Sequence, residues 1–157
     1  MIAVRRVVTG HDSHGRAMVT IDEAADDRVV FRTGANGINI WSTKGFPVDN
    51  DRSCDGGKNV TSTSIDDGSV FRVIEFEPGV APRTHRTDSI DYAVVLSGEI
   101  DMEMDETCVT LKAGDVLVQR GTIHNWVNRT NAPCVIAFVL IHAKPASTPG
   151  GSLHAKG

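Results

Sequence analysis

At 157 residues, with 40% hydrophobic and 23% charged side chains, the chain has the size and make-up of one soluble domain with a core of its own. A net charge of -4 without a basic patch argues against a nucleic-acid surface, and no apolar run is long enough to cross a membrane. The opening MIAVRRVVTGHDSHG lacks the apolar run of a signal peptide, so the sequence predicts a cytoplasmic protein.

AVRRVVTG reads as a strand, HDSHG as a turn and RAMVTIDE as the returning strand, because turn formers separate two runs of β-formers. His11 and His14 fall in that turn and read as solvated side chains. DDRVVFRTG and NGINIWST give two more strands, completing N-terminal strands over 1–43. From 44 to 69 the chain fills with Gly, Asp, Asn and Ser and loses periodicity. This long loop reads as a flap over a barrel mouth, an interface arm or a disordered segment.

The barrel core follows over 70–145. VFRVIEFEPG enters it, and in EIDMEMDE the residues Ile100, Met102 and Met104 alternate with Glu99, Asp101 and Glu103, giving one buried and one wet face. CVTLKAGDVLVQRG supplies two strands around Ala113-Gly114, and CVIAFVLIHAK an apolar last strand. The tail 146–157, rich in Pro, Gly and Ser, is expected to be disordered. Cys54, Cys108 and Cys134 are an odd number at wide spacings, which fits neither a disulfide framework nor a zinc ribbon, and they read as reduced thiols. No stretch carries a helical period. Eight to eleven short strands between turns predict an all-β, antiparallel sandwich or barrel in one domain over 1–145.

Chemistry concentrates between Gly79 and Asn128. On an extended strand His85, Thr87 and Asp91 share a face, as do His124, Trp126 and Asn128. Two histidines and a carboxylate meeting in a small barrel would hold a divalent metal with positions left for substrate. Arg83 shares the parity of His85 and suits a substrate carboxylate. Arg86 should point outward, Arg120 sits at a turn, and Tyr92 has the opposite parity to Asp91. Trp126 is pocket wall or core, His142 a core or interface residue, and Asn128 structural.

These residues resemble the two motifs of the cupin superfamily. Gly79, His85, Thr87, Asp91 and Gly98 stand at the places of the first motif, with Thr87 for its second histidine and Asp91 for its glutamate. Gly114, Gly121, His124 and Asn128 stand at those of the second, with Gln119 where proline would be. The resemblance implies a single-domain jelly-roll β-barrel with an N-terminal β-hairpin extension, a small-molecule ligand and a homodimer. It also implies a metal site at His85, Asp91 and His124 for iron, zinc, manganese or nickel; the altered positions leave a metal-free pocket equally open.

Two functions follow from that reading. One is an enzyme acting on a small organic acid or aromatic-derived metabolite as a lyase, isomerase or dioxygenase. His85, Asp91 and His124 would be catalytic, and Arg83, Thr87 and Trp126 would bind substrate. The other is a noncatalytic, metal-free module that binds a small ligand.

Overall fold

The computed structural model describes residues 2–51, 54–58 and 60–157. Among them the strands in chain order are β1 (Arg5–His11), β2 (Ala17–Ala24), β3 (Arg28–Arg32), β4 (Ala35–Lys44), β5 (Gly68–Phe76), β6 (Ser89–Ser97) and β7 (Glu99–Glu103). They continue with β8 (Cys108–Lys112), β9 (Val116–Arg120), β10 (Asn125–Val127), β11 (Cys134–His142), β12 (Ala146–Thr148) and β13 (Gly151–Leu153). No helix among the described residues is long and apolar enough to cross a membrane.

Every named pairing is antiparallel. A six-stranded sheet runs β3-β4-β5-β11-β6-β9, a three-stranded sheet runs β10-β7-β8, and β1-β2 and β12-β13 are separate hairpins. The period-two rule explains how the two larger sheets meet. In β11 the residues Cys134, Ile136, Phe138 and Leu140 are buried while their neighbours are half exposed. Ile100, Met102, Leu111 and Trp126 of the smaller sheet join them in one apolar core with Phe76, Ala93 and Val95. The two sheets close as a jelly-roll sandwich around that core, and their inward polar residues line its open end.

The turn between β6 and β7 depends on Gly98. Its φ is +79°, and a Cβ there would lie 2.5 Å from the Pro133 carbonyl oxygen, so both the backbone conformation and the close approach require glycine. The β1-β2 hairpin folds beside the sheet. Ala25, Ile38, Ile40 and Val73 form a second apolar cluster, against which Ile2 and Val4 pack.

The loop expected over 44–69 includes residues 52, 53 and 59, which lie outside the described residues. Its described residues are held by polar contacts: Arg6, only 3% exposed, donates to both oxygens of Asp55 at 2.7 Å and also pairs with Glu23. Asn39 Nδ2 donates to the Val60 carbonyl and Arg72 Nη2 to that of Ser62. The tail, expected to be disordered, instead forms β12 and β13, and Arg86 and Lys156 exchange backbone hydrogen bonds at 2.8 and 2.9 Å. Composition missed this because backbone pairing with Arg86 supplies order that the small tail side chains cannot.

Candidate functional site

His85 and His124 lie just outside the regular strands and pair with each other. The two residues exchange backbone N–H to carbonyl bonds of 2.9 Å each, which sets both side chains on one face, and their ring centroids are 4.3 Å apart. Each ring is oriented in the same way. His85 Nδ1 lies 3.0 Å from the Arg83 carbonyl, and His124 Nδ1 lies 3.0 Å from the Thr122 carbonyl. A carbonyl only accepts, so each Nδ1 carries the proton and each Nε2 keeps its lone pair.

Both rings line a cavity at the open end of the barrel. Arg32, Thr63, Arg72, Arg83, Asp91 and Gln119 supply its other polar wall, and Phe31, Phe76, Trp126 and Phe138 are among its apolar wall. The centre of a water molecule can move through about 50 Å³ of it. At ~10–15 Å³ per water-sized group, that is room for a ligand of only a few heavy atoms. Of its lining, His85, Asp91, His124, Gln119 and Arg72 are all buried.

Burial sets the charge states. Desolvation, with help from the neighbouring His124, lowers His85 to about 4, and desolvation also lowers His124. Both rings are therefore neutral near pH 7. Desolvation raises Asp91 to about 6, opposed by the hydroxyl of Ser89, which donates to its Oδ1 at 2.6 Å, and by the charge of Arg72. Asp91 is thus a carboxylate poised close to neutrality. Arg72 is lowered to about 10 by desolvation and remains cationic; it lies over the Phe31 ring at 5.0 Å.

The expected site residues do not all serve as the sequence suggested. Arg83 and Trp126 reach the cavity wall, the latter edge-on to Phe138. Thr87 does not. Its hydroxyl is 2.7 Å from that of Ser89, so it belongs to a hydrogen-bonded row, Thr87 to Ser89 to Asp91, behind the wall. Arg86 lies outside the cavity, half buried and held by the His154 carbonyl through Nε. His142 is exposed and accepts the Asp67 N–H at Nδ1, instead of lying in the core.

The three-ligand metal set is not assembled either. The two free Nε2 atoms suit a divalent cation, but among the described residues no group of three or more His, Cys, Asp or Glu side chains is placed to hold one. Asp91 lines the same cavity as the imidazoles, and its Oδ1 accepts the Ser89 hydroxyl at 2.6 Å. Aspartate reaches one methylene less than the glutamate that the motif would carry.

Sequence reasoning missed Arg32, Arg72 and Gln119 as site residues. The signal for Arg72 was available, since it shares the parity of Val70 and Phe76 in β5 and a charge on the inward face of a strand calls for an explanation. Gln119 drew notice only as a departure from the motif. Opposite Asp91 in the β6-β9 register, it also faces the cavity. For Arg32, at the end of β3, the sequence offers no comparable signal.

Comparison with known proteins agrees with this architecture. Residues 72–141 match the family model described as a cupin domain. The chain is 37% identical to phomopsin biosynthesis cluster protein C' of Diaporthe leptostromiformis, over 92% of this chain and 82% of that protein. It is 36% identical to the cupin-domain-containing oxidoreductase fogC of Aspergillus ruber, over 88% and 72% respectively. Among solved structures, KdgF from Halomonas sp. matches with a TM-score of 0.50 at 16% identity, covering 74% of this chain and 89% of that one, a likeness of fold.

Proposed function

The chain belongs to the cupin superfamily, and we propose that it is an enzyme that moves a proton on a small carboxylate-bearing metabolite in the barrel cavity. The observation that carries this reading is the placement of Asp91, raised to about 6, in a cavity with three guanidinium groups and two neutral imidazoles. Relatives named for biosynthesis clusters or as cupin-domain oxidoreductases support action on a small metabolite.

In this reading Arg32, Arg72 and Arg83 hold the carboxylate. Asp91 takes a proton from the carbon beside the substrate carbonyl, the C–H electron pair moves to leave the charge on the enolate oxygen beside the same guanidiniums, and Asp91, after exchange with solvent, returns a proton to that carbon. His85 and His124 offer Nε2 acceptors that orient the substrate. A divalent metal, where bound, would supply Lewis acidity; the residues present offer it two imidazoles rather than three ligands, and no step above depends on it.

Solvent exchange tests the reading. The protein is incubated with pyruvate in deuterium oxide, and proton NMR follows loss of the methyl signal. Exchange above the uncatalysed rate is expected, falling by about 10²–10⁴-fold in Asp91→Asn. Carboxylate binding without exchange would favour the noncatalytic ligand-binding module.

We also propose a homodimer that covers the outer face of the six-stranded sheet. Trp41, Phe71, Val139, Tyr92 and Val118 stand opposite one another in successive registers from β4 to β9, and Phe71, Tyr92 and Val118 are exposed. The row ends on β9, the edge strand, so a second copy could cover the face and the edge together.

A further inference from the structure

We propose that Gln119 determines specificity by reading a hydroxyl beside the ligand's carboxylate, so that the cavity takes small 2-hydroxy acids, and the enol form of 2-oxo acids, over plain acids. This rests on the reading of the cavity as a carboxylate site and narrows its ligand class.

The argument is an inventory of buried polar atoms. Gln119 is 2% exposed and lines the cavity, and neither its Nε2 nor its Oε1 has a hydrogen-bond partner among the described residues. Arg72 Nε and Arg32 Nη2, of two residues that line the same cavity, are likewise unpartnered. Buried polar groups in folded proteins are almost always paired, and leaving one unpaired costs about 1–3 kcal/mol. Four such atoms around one small cavity describe what its ligand must offer.

Three of the four are donors, and a carboxylate, which only accepts, satisfies donors alone. Gln119 Oε1 remains. It needs an O–H or N–H, and the arginines that line the same cavity make a second cation a poor source. A hydroxyl meets the amide at both ends, donating to Oε1 and accepting from Nε2. Because both amide atoms lack partners, turning the amide over leaves the inventory unchanged. The cross-strand pairing of Asp91 with Gln119 sets this hydroxyl next to the group assigned to proton transfer. The available volume suits a ligand the size of glycolate or lactate.

Calorimetry or ligand-observed NMR on the full chain tests the proposal with glycolate against acetate, lactate against propionate, and methoxyacetate, which keeps the acceptor and loses the donor. Wild-type protein is expected to bind each hydroxy acid at least 10-fold more tightly than its plain partner, with methoxyacetate losing that gain. Gln119→Met should abolish the preference, each hydroxy acid then binding no more tightly than its plain partner. Equal affinity of the wild type for hydroxy and plain acids would overturn the role of Gln119 while leaving the carboxylate site standing. Failure of all five acids to bind at 100 mM would overturn the carboxylate reading beneath it. The wild-type comparison decides the matter even if Gln119→Met does not fold.

Discussion

His85 and His124 hold each other through two reciprocal backbone hydrogen bonds of 2.9 Å, and each imidazole presents an unprotonated Nε2 to the same cavity. Neither ring gains a proton cheaply there. The folded value of His85, about 4, lies below its ordinary 6.5, so its contribution to stability is intact above about pH 6.5 and is lost as pH falls toward 4. The size is on the order of 3 kcal/mol. Asp91, raised from 3.8 to about 6, has the opposite sign: its contribution is complete below about pH 3.8 and is lost as pH rises through 6.

The two slopes oppose each other between about pH 4 and 6. Urea denaturation at pH 7, 6, 5 and 4 should therefore reveal a steeper acid loss of stability in Asp91→Asn than in wild type. Parallel profiles would contradict the burial argument for Asp91.

Metal uptake separates a two-imidazole site from a three-ligand one. Untagged protein purified without chelator is expected to carry less than one equivalent of iron, zinc, manganese or nickel by plasma mass spectrometry, with occupancy lost in His124→Ala and retained in Asp91→Ala. Stoichiometric metal that disappears in Asp91→Ala would restore Asp91 as a ligand.

The segment between β4 and β5 should depend on the Arg6–Asp55 pair. Asp55→Ala leaves a guanidinium that is 3% exposed with Glu23 as its remaining carboxylate, and a loss of about 2–4 kcal/mol in chemical denaturation is expected. A change below about 0.5 kcal/mol would mean that the pair does not hold the segment.

If the outer sheet face is a dimer interface, Val118→Glu should give a monomer by sedimentation, because Val118 is exposed at the end of the apolar row. Dimer in both proteins would place the interface elsewhere, and monomer in both would remove it.

The fold was legible because its signals are local. Period-two alternation in β7 and β11 and the glycines at turns such as Gly98 specify strands and reversals without reference to partners. The site was legible in part. Parity placed Arg83, His85, Asp91, His124 and Trp126 around one cavity, but it cannot say what a side chain bonds to once there. Thr87 turned to Ser89, and the resulting hydroxyl row took up Asp91 Oδ1. Arg32 and Gln119 come from β3 and β9, strands far apart in sequence, so their meeting is a property of sheet closure that no short motif contains. The tail's order likewise comes from a distant partner, Arg86.

The measurement that bears most directly on proton transfer by Asp91 is the pH profile of pyruvate deuterium exchange. The account predicts a rate that rises as Asp91 loses its proton through about pH 6, levels off above it, and in Asp91→Asn is lower by about 10²–10⁴-fold on that plateau, with no rise through pH 6. Exchange that is independent of pH across that range, or that survives unchanged in Asp91→Asn, would contradict it.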